Sequence, residues 1–352
     1  MGDARLHKTA AALIRAGFDV HVSGLGDESR APDGCSVTAV LSAGKVTRAV
    51  RAFVWPLRVR ADVLLTIDPD TSPAASLVSR LRRVKWVADV HEDYRELLHD
   101  RSWVPRPLLA LLQTAVSAMN WLIAHADLVL VADEHVPPRR ARHRYVMRNE
   151  PDFSLLHEAA DRVDDGKWRA VYVGDNRRSR GLQTMVEAVA ATALDAQPWE
   201  LDIVGPSSGS DRDWLQARLQ DPDCSGIRFH GRQDPKRSWE TAAGADLGLC
   251  LLAQTPAFID AMPSKIYEYM ASGLPTIATP LPRVAELLQR TGAGTLVESM
   301  EETVAALRRY ATDAEWRDGL VAATRAAGTV VQGETSTYDE AAVLIAALTM
   351  KH

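Results

Sequence analysis

The sequence predicts an α/β protein made of two Rossmann-like domains, each a doubly wound parallel sheet. Three observations carry this reading. Short apolar runs such as residues 61–67 (ADVLLTI), 85–90 (KWVADV) and 168–173 (WRAVYV) alternate with stretches whose apolar residues recur every three to four positions. That is the pattern of strands buried on both faces with helices laid over them. At 352 residues the chain exceeds one typical core and suits two. A polar break at Arg148-Asn149-Glu150-Pro151-Asp152 separates two such runs of alternation. The expected domains are residues 1–150 and 151–330, followed by a C-terminal helix in 331–352.

Bulk composition excludes several classes. Charged residues at 25% and hydrophobic residues at 46% are ordinary for a globular protein. A net charge of −5 gives no reason to expect nucleic acid as a partner. Cys35, Cys224 and Cys250 lie far apart with no C-x-x-C, so neither a disulfide framework nor a zinc site is suggested. A cytoplasmic, reducing location is the simplest expectation. The first ten residues lack the apolar core of a signal peptide. Residues 108–131 are the most apolar, but Gln113, Asn120, His125 and Asp127 interrupt them, so a buried helix and strand are expected there. Membrane association is not indicated.

In the first domain, residues 5–16 read as a helix ended by Gly17, and 19–23 as a strand. A strand near 37–41 and a helix over 45–58 follow. The strand 61–67 ends at Asp68-Pro69-Asp70, the helix 71–83 comes next, and the strand 85–90 ends at His91-Glu92-Asp93. In parallel sheets, ligands bind at the C-terminal ends of strands, which makes those two tips candidate sites. A helix at 108–124 and a strand at 127–131 lead to Arg139, Arg140, Arg142, Arg144 and Arg148, which read as a solvated face. Asp-x-Asp occurs at 68–70, 211–213 and 221–223, and all three read as turns.

The second domain carries the chemistry. Strand 168–173 runs into Gly174 and a basic loop, GDNRRSR, before Gly181 opens the helix 182–191. A strand, a glycine-containing basic loop and a helix N-terminus together suit phosphate. Strands at 200–204, 227–230 and 245–251 lead to residues 260–279, DAMPSKIYEYMASGLPTIAT. Here Pro263 precedes a helix over 264–272, Gly273 closes it, and 276–278 form a buried strand. The helix N-terminus offers free amides and a positive dipole end. Lys265 sits in its first turn, where a cation is unfavourable unless an anion is bound. Glu268 lies three residues on, on the same side, placed to accept ribose hydroxyls. Helices near 282–289, 300–312, 315–326 and 338–348, with a strand at 292–297, complete the chain.

Asp260, seven residues, then Glu268, followed by a helix ending in small residue-Gly-x-Pro, resembles the signature of the family 4 retaining glycosyltransferases, which have the GT-B fold. The resemblance spans roughly residues 3–330 and is strongest over 168–298. It implies two Rossmann-like domains facing a cleft, with a C-terminal helix crossing back to the first. It assigns Glu268 to the nucleotide ribose. Ser264, Lys265, Gly174 and Arg180 go to the diphosphate, and Arg232 to the base. Asp260 and His91 would orient the transferred sugar, and Asp68, Asp70 and Glu92 would lie on the acceptor side. The family's first acid is usually Glu, so Asp260 is one methylene shorter. Asp175 stands where the family has a basic residue. In the family a strand and loop precede the first helix, so this chain begins one strand later.

The expected activity is transfer of a hexosyl group from a nucleotide diphosphate sugar to an acceptor hydroxyl, with retention and without metal or other cofactor. The acceptor, whether small molecule, glycan or natural product, is not identified. Two alternatives come from Asp175, Asp260 and the fold: a partner protein that binds nucleotide sugar without catalysis, and a nonhydrolysing sugar-nucleotide epimerase. No G-x-G-x-x-G follows a strand, which argues against a nicotinamide enzyme.

Overall fold

The computed structural model describes residues 4–40, 44–67, 69–100, 106–148, 150–153, 156, 165–256, 258–333 and 336–350. The elements run α1 (Ala4–Arg15), β1 (His21–Leu25), β2 (Ser36–Val40), α2 (Lys45–Arg58), β3 (Val63–Thr66), α3 (Ser72–Arg82), β4 (Lys85–Val90), α4 (Tyr94–Asp100), α5 (Leu109–Ile123), β5 (Leu128–Val131) and β6 (Arg144–Val146). Then come β7 (Trp168–Val173), α6 (Leu182–Ala190), β8 (Trp199–Val204), α7 (Gly209–Arg218), β9 (Ile227–Gly231), α8 (Pro235–Ala243), β10 (Leu247–Cys250) and α9 (Ser264–Ala271). The chain closes with β11 (Thr276–Ala278), α10 (Pro282–Thr291), β12 (Gly294–Leu296), α11 (Met300–Thr312), α12 (Ala314–Gly333) and α13 (Thr337–Thr349). It divides into two compact units, residues 1–150 with 335–352, and residues 151–334. Helix α12 runs to Gly333, so a domain end at 330 falls inside it.

The first unit holds two parallel sheets, one of β1 and β2 and one in the order β3-β4-β5-β6. Side chains alternate across the larger sheet as the pleat requires. Val87, Leu128 and Leu130 face a core with Ala12 of α1 and Tyr338, Ala341 and Ile345 of α13. Trp86, Ala88, Val129 and Val131 face the other way, onto Ala75 of α3 and Ile123 of α5. Arg5 locks the first of these layers. Its guanidinium grips Asp89 through Nε at 2.8 Å and Nη2 at 2.7 Å, and donates to the Met147 carbonyl at 3.0 Å. It also lies over the Tyr338 ring, 5.8 Å from the centroid.

The second unit is a single six-stranded parallel sheet in the order β12-β11-β10-β7-β8-β9. The order reverses between β7 and β10, so the loops leaving those two strands diverge and open a crevice at the sheet's C-terminal edge. Trp168, Ala170 and Tyr172 of β7 pack against α6 and α11. Val171 packs the other way, onto Trp239 of α8 and Tyr269 of α9.

Several sequence expectations are corrected. Helices α4, α7 and α8 and strand β6 were not anticipated. Helix α7 buries Leu215 alone, so its apolar period is faint. Asp211 and Asp213 therefore lie in a helix and not in a turn. Arg144 is not part of a solvated face. Its Nε donates to the Pro138 carbonyl at 3.1 Å, and Nη2 reaches those of Asp133, Glu134 and Val136 at 3.2, 2.8 and 3.2 Å. It ties the 133–138 loop to the sheet edge. Arg139, Arg140 and Arg142 are exposed, as expected.

Candidate functional site

The site is built on α9, and α9 is held from two sides. Tyr269 faces the sheet. Its ring covers Gly248, where any Cβ would sit 2.4 Å from Tyr269 Cδ2. Its hydroxyl lies 3.3 and 3.4 Å from the Val171 and Leu249 carbonyls and 3.3 Å from the Val173 amide. On the outer side α12 presses close: a Cβ on Gly328 would lie 2.2 Å from the Met270 carbonyl. Gln332 Nε2 adds a 2.8 Å bond to the Ala271 carbonyl, capping the helix end. With α9 fixed, Lys265 one turn before Tyr269 is aimed inward at the tips of β7 and β10.

Lys265 is 6% exposed. Its Nζ lies 4.7 Å from the centroid of the Tyr172 ring and 3.1 Å from where a Cβ on Gly174 would stand. Among the described residues no carboxylate pairs with it and no acceptor takes its protons. A buried ammonium without an anion costs several kcal/mol, so the position is unfavourable for the protein alone. Helix α9 begins at Ser264 after Pro263 with no side-chain cap, so its first amides also lack a side-chain acceptor. Glu268 is half-buried on the next turn.

The loop after β7 forms the facing wall. Arg177 pairs with Asp175 at 2.6 Å, and Arg178 with Asp211 at 3.3 Å. Arg180 has no carboxylate partner among the described residues. Its Nε is buried without a hydrogen bond, and its guanidinium lies 5.5 Å over the Phe258 ring. Arg177 and Arg178 are therefore both neutralised locally, and neither is free to supply the basic group that Asp175 displaces. Gly181 then opens α6 in the left-handed conformation at φ 85°, against the Leu251 carbonyl. The Ala253 amide donates to the Ser179 carbonyl at 2.9 Å, joining this loop to the one after β10.

Cys250 reports that the two cations converge. Burial pushes its thiol up to about 11, while Lys265 and Arg180 both pull it down and Glu268 pushes it up. All three groups therefore surround the end of β10. Two cations unpaired among the described residues and two helix N-termini without side-chain caps around one crevice suit a diphosphate.

Gly174 belongs to this cluster, since Lys265 Nζ stands 3.1 Å from where its Cβ would be. Gly174, at φ 156°, donates its amide to the Val204 carbonyl at the strand tips. Arg232 is exposed just past β9. Asp260 is exposed, and its carbonyl takes a 3.3 Å bond from Arg283. In the first unit, His91 meets Tyr94 edge-on at 6.1 Å, and its Nδ1 is buried without a hydrogen-bond partner. Glu92 is exposed, and Asp70 sits in a one-turn 3-10 helix after β3. Asp93 caps α4 by accepting from the Arg95 and Glu96 amides. Asp68 lies outside the described residues.

Sequence reasoning missed Tyr172, Asn176 and Phe258. Asn176 is fully buried, with Nδ2 on the Gly174 carbonyl and Oδ1 unpartnered. An asparagine inside a glycine-rich loop was the available signal. Among the described residues no cluster of His, Cys, Asp or Glu has metal-binding geometry, and no helix is long and apolar enough to cross a membrane.

Comparison with known proteins places this arrangement. Residues 152–313 match the family model described as Glycosyl transferases group 1. No curated protein sequence matches the chain. Sucrose-phosphate synthase from Thermosynechococcus elongatus aligns with a TM-score of 0.70 at 16% identity, over 99% of this chain and 91% of that one. HepE from Anabaena, solved with UDP and glucose, aligns at 0.69 and 14%, over 100% and 98%. WaaG, a glycosyltransferase involved in lipopolysaccharide biosynthesis, aligns at 0.62 and 16%, over 96% and 94%. The fold is that of the GT-B glycosyltransferases. The family matched over residues 152–313 agrees with the resemblance at 260–276.

Proposed function

We propose that this chain transfers a hexosyl group from a nucleotide diphosphate sugar to an acceptor hydroxyl with retention of configuration. The observation that carries the reading is Lys265, buried and, among the described residues, unpaired beside the uncapped start of α9. The solved complexes of HepE with UDP and with UDP-glucose support the donor class. Lys265, Arg180, Ser264 and the amides of α9 hold the diphosphate, and Glu268 the ribose. As the bond from the anomeric carbon to the phosphate oxygen breaks, negative charge grows on the diphosphate and these groups stabilise it. Removing one such group typically costs ~2.7–4 kcal/mol of barrier. The acceptor oxygen forms the new bond on the same face, and its proton passes to the departing phosphate oxygen. No metal is assigned a part. Asp260 and His91 are assigned to the sugar, Gly174 and Arg232 to the nucleotide, and Asp68, Asp70 and Glu92 to the acceptor.

The test has two stages. A thermal-shift screen with UDP-, GDP-, dTDP- and ADP-sugars finds the donor, since bound ligand raises the melting temperature by mass action. Incubating that donor with candidate acceptors should release nucleoside diphosphate and give a product whose anomeric configuration matches the donor's by NMR. Glu268→Ala and Arg180→Ala should abolish transfer while the protein stays folded. Full activity in both variants, or an inverted product, overturns the assignment. A second reading, binding without turnover, is favoured by Asp260 standing exposed and by Asp175 neutralising Arg177. Donor binding with neither hydrolysis nor transfer would select it.

A further inference from the structure

We infer, on the reading that Lys265 meets the diphosphate, that Tyr172 is a positioning residue of that site: its ring face holds the Lys265 ammonium in place, and its hydroxyl fixes the loop that presents Arg180. Tyr172 is fully buried near the end of β7, in the core that β7 forms with α6 and α11. A buried hydroxyl is costly unless it is bonded, and this one donates to the Asp175 carbonyl at 3.0 Å. Asp175 belongs to the loop of residues 174–180, which ends at Arg180. The ring of the same tyrosine carries Lys265, whose Nζ lies 4.7 Å from the centroid. A Cβ on Gly174 would stand 3.1 Å from Lys265 Nζ and 3.1 Å from the Tyr172 hydroxyl oxygen. Ammonium and hydroxyl therefore flank a residue without a side chain, and Tyr172 touches both walls of the crevice.

The way cations are held around this crevice points to that role. A carboxylate beside a cation neutralises it and competes with any incoming anion. An aromatic face attracts the same cation and leaves its charge available. Arg177 and Arg178, paired with Asp175 and Asp211, are of the first kind. Arg180 and Lys265 are of the second. Among the described residues neither pairs with a carboxylate, and Arg180 lies 5.5 Å over the Phe258 ring as Lys265 lies over Tyr172. Lysine needs such a guide more than arginine does, because its ammonium is a point charge on a flexible four-carbon stem. A stem already in place loses less freedom when a phosphate oxygen arrives, and the difference appears as affinity. Leucine at this position would fill the core but supply neither the ring face nor the hydroxyl.

The test begins with calorimetric titration of UDP, GDP, dTDP and ADP into the full chain, and runs a double-mutant cycle with the tightest of them. Tyr172→Leu should bind that diphosphate roughly tenfold more weakly than the wild type. In a Lys265→Met background the same change should cost less than about twofold, because the ring has no ammonium left to hold. Tyr172→Phe keeps the ring and should recover most of the loss. Adding progressively more fluorine to the ring of Tyr172→Phe drains its negative face and nearly preserves its shape, so affinity should fall stepwise. That series decides the matter should Tyr172→Leu fail to fold. An equal loss on Tyr172→Leu with and without Lys265, or an affinity indifferent to fluorination, overturns the proposal and makes Tyr172 plain packing. The diphosphate reading survives that outcome if Lys265→Met alone binds more weakly than the wild type. No binding by the wild type, or equal affinity in the wild type and Lys265→Met, overturns the diphosphate reading and this proposal with it.

Discussion

Among the described residues each unit buries one cation at the C-terminal edge of its larger sheet, and the two are treated in opposite ways. Arg5 in the first unit is 5% exposed and has every strong donor engaged, with a bidentate grip on a carboxylate that is itself fully buried. Lys265 in the second is 6% exposed and has an aromatic face but, among the described residues, no anion. A buried pair that completes itself is structure, because removing either partner leaves a charge that nothing else satisfies. A buried charge left incomplete is a site, because its partner must arrive from solution. The difference separates architecture from function without reference to any relative.

The comparison breaks most visibly at Asp89. Asp89→Ala should destabilise the first unit by ~3–5 kcal/mol, since it strands the Arg5 guanidinium. Differential scanning calorimetry should show one transition moving down, and Arg5→Met added to Asp89→Ala should recover part of the loss. A neutral Asp89→Ala would mean the pair is not the lock described here.

The next effect concerns the loop that presents Arg180. Gly181 sits at φ 85°, and a Cβ there would lie 2.2 Å from the Leu251 carbonyl. Gly181→Ala should cost ~1–2 kcal/mol for the left-handed backbone alone, and more for the displaced strand end. Donor binding should fall with it, which a melting curve with and without nucleotide sugar would measure. An unchanged affinity would detach Arg180 from the site.

A third prediction uses pH. The Cys250 thiol is pushed up to about 11, chiefly by burial and against the pull of Lys265 and Arg180. In the unfolded chain a cysteine ionises near ~8.5. A raised folded pKa stabilises the protein fully below the unfolded value. That contribution is lost between about pH 8.5 and 11, at about 1.4 kcal/mol per pH unit. Thermal unfolding of the wild type should therefore worsen over that window more steeply than that of Cys250→Ala. Parallel curves would show that Cys250 does not sit in the environment described.

Much of this was legible in the sequence. Strands β4, β7 and β11 and helices α2 and α11 were read to the residue, because their apolar periods are strong and proline, glycine or polar residues bound them. The oddity of a lysine in the first turn of a helix pointed to Lys265 before its burial was known. Other features depend on distance and are silent in one dimension. That Arg177 and Arg178 are consumed by Asp175 and Asp211 depends on where α7 folds. That Phe258 lies under Arg180, and Tyr172 under Lys265, depends on loops meeting across the switch between β7 and β10. The Arg5–Asp89 pair joins residues 84 positions apart. Asp68, the acid expected at the end of β3, lies outside the described residues.

The most direct measurement is calorimetric titration of a nucleoside diphosphate, the one picked by the thermal-shift screen, into the wild type and Lys265→Met. The account predicts one site per wild-type chain, an affinity ~10–100-fold weaker in the variant, and a variant that melts no lower than the wild type because a buried, unmatched charge has gone. Equal affinity in the two proteins, or a Lys265→Met chain that unfolds more easily, would contradict it.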